Sequence, residues 1–248
     1  MSRRRFFATP DSFQGQTVTL TSDEAKHLRD VLRLKHGDEV YVFDGAGKEF
    51  RCTVAQLHRN EVTLENCEEV EPAHRESPLQ LTLAVALLKG EKFDLVVQKA
   101  TELGVSCIVP VASQYADIHL RDPSDADKRV SRWRRIALEA AKQCGRAKVP
   151  EVRIPITFHS LMTTSNESVR LMFSEREGKT LGDSLLVRPP PTAVSALVGS
   201  EGGWSDDEIS QATAAEWKVV TLGGRVLRAE TAAIAVSVLL QYIYGDFK

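Results

Sequence analysis

The sequence predicts an α/β protein with a smaller β-rich domain in front of it. Three observations carry this. Short segments of alternating apolar and polar residues dominate the first 72 positions. From residue 79 onward buried strands alternate with amphipathic helices, and the polar, proline-bearing stretch EVEPAHRESP (69–78) separates the two patterns. The division expected is a β-rich domain over 1–72 and an α/β domain over 73–248, and a chain of 248 residues is long enough for two cores.

In the first domain TVTLT (17–21) reads as a strand. Thr21 and Glu24 have the spacing of a capping box, so AKHLRDVLRL should form a helix with Leu28, Val31 and Leu32 on one face. DEVYVFDGAGKEF, RCTVAQL and EVTLENC then alternate around a glycine-bearing turn. In the second domain LQLTLAVALL (79–88) is a continuous apolar run suited to a strand covered on both faces. EKFDLVVQKATEL is helical, with Phe93, Val96, Val97, Ala100 and Leu103 in one stripe and Gly104 at the helix C′ position; SCIVPVAS is the next strand. Another helix spans 128–145, with Val130, Trp133, Ala137, Ala140 and Cys144 on its apolar face. Strands follow at 169–175, 193–199 and 218–222, and such alternation implies a mostly parallel sheet.

Composition excludes several classes. No stretch reaches the roughly 18 uninterrupted apolar residues of a membrane span, and MSRRRFF lacks the apolar core of a signal peptide, so a cytoplasmic location without membrane partners is expected. Cys52, Cys67, Cys107 and Cys144 are scattered, with no CxxC pair and no histidine cluster. Free thiols and no metal site are therefore expected. A net charge of −2 gives no global attraction to nucleic acid, although Arg3, Arg4 and Arg5 and the helix carrying Arg132 and Arg135 form local basic patches.

Two loops at strand ends are unusual, and in open α/β sheets ligands sit at the carboxyl ends of strands. GSEGG (199–203) runs into a helix opened by Ser205 and Glu208, spaced as a capping box. LGGRVLRAET (222–231) enters the last helix. Glycines there leave bare backbone open to a flat ligand. Asp206, Asp207 and Glu208 in the first helical turn disfavour a polyphosphate, and neither a P-loop nor a GxGxxG fingerprint is present. A neutral or cationic ligand such as S-adenosylmethionine fits better, with a purely structural glycine turn as the alternative. The last helix is apolar around nearly its whole circumference, which suits either a central core helix or one packed against a second copy of the chain.

LVGSEGGWSDDEI (197–209) followed by LGGRVLRAETA, together with RRRFF, HLRDVLRL, KATELGV and EAAKQCGR in that order, resembles the bacterial 16S rRNA (uracil-N3)-methyltransferase family of the SPOUT superfamily. The resemblance implies a PUA-like β-barrel domain that helps grip RNA, an α/β domain with a trefoil knot, and a homodimer through the C-terminal helix. It implies S-adenosylmethionine held by Leu197, Val198, Gly199, Glu201, Gly202, Gly203, Leu222, Gly223, Val226 and Leu227, mainly through backbone groups. The methyl group would go to N3 of uridine 1498 in the 16S rRNA of the small ribosomal subunit. Ser200 stands where the family usually has proline, which should loosen the loop while adding a donor.

Transfer from a sulfonium needs alignment, and the weakly acidic N3 proton needs a route out. The candidates for that chemistry are Arg228, Glu230 and Arg146, with Glu139 and Gln143 spaced to orient Arg146. Bland alternatives are a helix-start carboxylate on the dipole for Glu230 and a surface salt-bridge role for Glu139 and Gln143 with Arg146. RNA phosphates are expected at Arg3, Arg4, Arg5, Arg132 and Arg135. Phe6 and Phe7 are either stacking groups or core.

Overall fold

The computed structural model describes residues 3–116, 123–165, 167–176, 178–184 and 189–247. The chain divides into two compact units, Met1–Glu76 with Leu138–Val149, and Ser77–Ala137 with Pro150–Lys248.

The first unit is built on strands β1 (Arg5–Phe7), β2 (Phe13–Gln14), β3 (Thr17–Thr21), β4 (Glu39–Phe43), β5 (Glu49–Leu57) and β6 (Glu61–Val70), in the order β1-β4-β5-β6-β3-β2. All neighbours are antiparallel except β1 and β4. The period-two pattern does what it should: Val18, Leu20, Val40, Val42, Val62 and Leu64 all point into one core with Phe6 and Leu28. Phe6 is thus core, and Phe7 packs on Phe43 with ring centroids 5.5 Å apart.

The structure departs from the sequence pattern at three points in this unit. Helix α1 (Ser22–Lys26) is short and passes into a π-helical turn, His27–Val31, in which Leu32 N donates to His27 O at 3.0 Å. The wider turn rotates the following residues, so Leu28 is buried while Val31 is 63% exposed. Thr21 is the N-cap residue but makes no side-chain cap bond. The capping box is absent because the Glu24 carboxylate is engaged elsewhere, accepting from Phe7 N at 3.2 Å and Lys142 Nζ at 2.6 Å. Finally, Cys52 and Cys67 are joined as a disulfide, brought together where the β5–β6 ladder shifts register.

The second unit is a parallel sheet of β7 (Gln80–Ala86), β8 (Cys107–Ala112), β9 (Glu151–Val152), β10 (Ile156–Thr157), β11 (Val169–Phe173), β12 (Lys179–Thr180), β13 (Ala193–Val198) and β14 (Lys218–Thr221). Its order is β10-β8-β7-β13-β11-β14-β12, with β9 also on β8. Buried over most of their length, β7 and β13 need the largely apolar sequences they carry, interrupted by Thr82 and the buried Ser195. The helices are α2 (Lys92–Glu102), α3 (Pro123–Cys144), whose end from Leu138 onward belongs to the first unit, α4 (Phe158–Thr164), α5 (Leu181–Ser184), α6 (Asp206–Ala214) and α7 (Ala229–Tyr244). Gly104 follows α2 at φ +78°, as its C′ role requires.

Helix α7 packs on α2, β7 and β13. It buries Ala233, Val236, Ser237, Leu240 and Gln241 on one face, and leaves Val238 and Tyr242 37% and 61% exposed on another. Of the polar pair on the buried face, Ser237 Oγ donates to Ala233 O at 2.8 Å, and Gln241 Oε1 accepts from Ser77 Oγ at 2.6 Å, while Gln241 Nε2 has no hydrogen-bond partner among the described residues. No helix among the described residues is long and apolar enough to cross a membrane.

Candidate functional site

The parallel order of β13, β11 and β14 brings three strand ends side by side at their carboxyl edge. The strand ends and the loops leaving them form a pocket open to solvent and lined by Phe173, Ser174 and Glu175 at the end of β11, Val198, Gly199 and Ser200 at the end of β13, and Thr221, Leu222, Gly223, Arg225, Leu227, Ala229 and Ala232 from the end of β14 into α7.

The first glycine loop is tightly fastened. Gly203 N donates to Ser200 O at 3.0 Å, and Gly203 sits at φ +69°. A side chain there would meet the Glu175 carboxylate, and one at Gly202 would come within 2.7 Å of Tyr115 Cβ. Ser200 is buried and its Oγ donates to Tyr115 O at 3.1 Å, so the serine that was expected to loosen the loop anchors it instead. Trp204 Nε1 donates to Phe173 O at 2.8 Å from within the core. The expected capping box is formed: Glu208 N donates to Ser205 Oγ at 3.2 Å, and Ser205 N to Glu208 Oε2 at 3.0 Å. Glu208 Oε1 also accepts from Gln114 N at 2.9 Å.

The second loop is looser. Gly223 adopts φ +113°, and neither it nor Gly224 has any described atom within 4 Å of where a Cβ would stand. Its visible tie is Gly223 N to Thr221 Oγ1 at 3.3 Å. Arg228 is the N-cap of α7, exposed and without a side-chain cap bond.

Of the residues expected to hold a cofactor, Val198, Gly199, Leu222, Gly223 and Leu227 line the pocket. Leu197 is fully buried in the sheet core, Gly202 and Gly203 shape the turn, Val226 is 80% exposed, and Glu201 pairs with Lys92 Nζ at 2.6 Å. That hydrogen bond, with the charges of Glu201 and Glu230, holds the Lys92 ammonium above its usual range, against burial and Arg228. Lys92 and Glu175 were missed from the sequence. The carboxyl-end rule applied to β11 would have found Glu175; no local motif pointed to Lys92, which α2 supplies.

Glu230 is half-buried, and its Oε2 has no hydrogen-bond partner among the described residues. Arg146 belongs to the first unit, where it is buried and donates to Glu76 Oε2 through Nη2 at 2.7 Å and Nε at 3.0 Å. Its orienting carboxylate lies seventy residues upstream, out of reach of the helical spacing that pointed to Glu139 and Gln143.

The basic residues differ in availability. Arg5 pairs with the buried Glu49 at 3.0 Å, stacks on Phe43, and donates to the carbonyls of Ala141, Lys142 and Arg146, closing the end of α3. Arg3 bonds Glu71 O and lies over Tyr41, whereas Arg4 is exposed. Arg132 pairs with Asp94, and Arg135 is exposed. No cluster of potential metal ligands occurs among the described residues. Cys107 is buried against Glu151, and burial pushes its thiol up to about 12.

Comparison with known proteins bears on both units. Residues 75–241 match the family model of the RNA methyltransferase domain, and residues 20–65 that of the RNA methyltransferase PUA domain. A ribosomal RNA small subunit methyltransferase E from Synechocystis is 36% identical over 92% of this chain and 74% of its own length. The protein of that name from Bacillus subtilis is 29% identical over 94% of each chain. Among solved structures, a ribosomal RNA small subunit methyltransferase E from Neisseria gonorrhoeae, bound to S-adenosyl methionine, is 34% identical with a TM-score of 0.88. A methyltransferase from Legionella pneumophila in complex with its cofactor SAM is 32% identical with a TM-score of 0.89; each match covers 100% of both chains.

Proposed function

The chain belongs to the RNA methyltransferase family, and from that premise we propose that it transfers the methyl group of S-adenosylmethionine to N3 of uridine 1498 in 16S rRNA. The observation that carries this reading is the pocket at the carboxyl edge of β11, β13 and β14, which has Gly199 and Gly223 of the two glycine loops in its lining. Its chemistry suits that donor. The acidic first turn of α6 disfavours a phosphate, and Glu175 offers a carboxylate to a ligand that carries positive charge and hydroxyl groups.

The backbone of Val198–Ser200, Leu222–Gly223 and Leu227 would hold the adenosine, and Gly203 gives Glu175 its room. The bound donor supplies an electrophilic methyl group, so the protein's own task is to align, dehydrate and manage one proton. Glu230, at the first turn of α7, takes that proton, and Arg228 beside it offsets negative charge on the base. Arg146, already matched by Glu76, acts on the fold of the first unit or on a phosphate, not on the proton. The β-rich first unit grips RNA and the α/β second unit carries the transfer, with Arg3, Arg4, Arg132 and Arg135 taking phosphates and Arg5 holding the first unit together.

Three further parts of the reading go together. The chain works in the cytoplasm on the small ribosomal subunit. It forms a homodimer over the face of α7 that bears Val238 and Tyr242, which a lone copy leaves to solvent. The last segment is threaded as a trefoil knot, a reading supported by β13 lying between β7 and β11 although it follows both in the chain.

Nucleoside mass spectrometry of 16S rRNA tests the assignment. A strain lacking this protein should lose 3-methyluridine and regain it on complementation; persistence of the modification without the protein would refute it.

A further inference from the structure

Three charged residues directly adjoin the lining of the donor pocket in the chain, and a fourth pairs with one of them. Glu201 follows the lining residue Ser200, while Arg228 lies between Leu227 and Ala229, and Glu230 follows Ala229. The fourth member, Lys92, comes from neither loop; it stands at the first residue of α2, and its Nζ is 2.6 Å from Glu201 Oε1. Lys92 also feels the charges of Glu230 and Arg228, which flank Ala229 of the pocket lining. On its own helix Glu91 is 91% exposed, and Asp94 is taken by Arg132 and by Trp133 Nε1 at 3.0 Å.

Methylating an imide nitrogen creates a demand for positive charge. When N3–H breaks, negative charge spreads onto the two flanking carbonyl oxygens, and a hydrogen-bond donor aimed at them lowers the barrier. Lys92 is suited to it as the cation held beside the lining by Glu201, while Arg225 is a second cation in the lining itself. Glu201 fixes its direction without burying it, since its side chain remains 37% exposed, and a compact ammonium with three donors can hold Glu201 and a substrate oxygen together.

We propose that Lys92 is a catalytic residue of the methyl transfer, donating a hydrogen bond to a carbonyl oxygen beside N3 of the target uracil while Glu201 holds it in place. The inference rests on the reading given above. The N3–H bond breaks and its proton passes to the Glu230 carboxylate. The electron pair left on N3 forms the N–CH3 bond as the S–CH3 bond breaks, and that pair remains on sulfur, leaving neutral S-adenosylhomocysteine.

Single-turnover transfer to 16S rRNA in small subunits lacking the modification, at saturating S-adenosylmethionine, tests this with Lys92→Met and Lys92→Arg across a range of pH. Calorimetry with the donor alone runs in parallel. Lys92→Met should slow transfer by about a hundredfold at neutral pH, with donor binding retained. The deficit should shrink as the pH approaches the range where uracil ionises unaided, and Lys92→Arg should recover most of the rate. A deficit unchanged with pH, or no deficit, or failure of arginine to rescue would overturn the role of Lys92 alone. Wild-type protein that neither binds the donor nor methylates the subunit would instead overturn the proposed function, and this inference with it.

Discussion

The two glycine loops of the pocket share a composition and differ in how they are held. Residues 199–203 are cross-tied by Gly203 N to Ser200 O and by Ser200 Oγ to Tyr115 O, and side chains added at Gly202 or Gly203 would run into Tyr115 or Glu175. Around Gly223 and Gly224 the same test meets open space among the described residues. The first loop is therefore a preformed wall, with its ordering cost met in folding, and the second a flap that can settle on a ligand. In the first, glycine is needed because neighbours crowd it; at Gly223 it is needed for its backbone angle.

Substitutions separate these reasons. Gly203→Val should have the largest effect, because a β-branched residue at φ +69° also drives into Glu175. At about 1.4 kcal/mol per factor of ten, backbone strain of about 3 kcal/mol weakens donor affinity by about a hundredfold or more in calorimetry, with circular dichroism retained. Gly223→Ala should come next. It has space but the wrong φ, so a cost of about 1 kcal/mol gives affinity lower by roughly five- to tenfold. Ser200→Ala removes one buried hydrogen bond and should lower stability by about 1 kcal/mol, seen as a reduced midpoint in urea with donor affinity nearly unchanged. Gly224→Ala, with neither crowding nor positive φ, should stay within about 0.5 kcal/mol. Equal effects at Gly203 and Gly224 would erase the contrast between wall and flap.

The same contrast explains what was legible in the sequence. Strands β7 and β13, the stripe of α2 and the Ser205–Glu208 cap depend on spacing within a few residues, and each formed as its pattern indicates. The glycine loops were visible because both follow apolar runs and precede helices. What depended on partners distant in sequence was hidden. Thr21 and Glu24 have the spacing of a cap, yet Glu24 is drawn to Phe7 N and Lys142. Arg5 resembles a free basic residue but closes α3 through Glu49 and three carbonyls. Lys92 reaches the rim only because the fold sets the start of α2 beside residue 201. Ser200 shows the limit of arguing from one position, since its lost proline rigidity is offset by Tyr115, eighty-five residues away.

A crystal structure with S-adenosylmethionine tests the account most directly. The adenosine should lie against the backbone of Gly199, Ser200, Leu222 and Gly223, with the 199–203 turn unmoved and the 222–227 segment closed over it. A donor bound elsewhere, or one that displaces the first loop and leaves the second untouched, would contradict it.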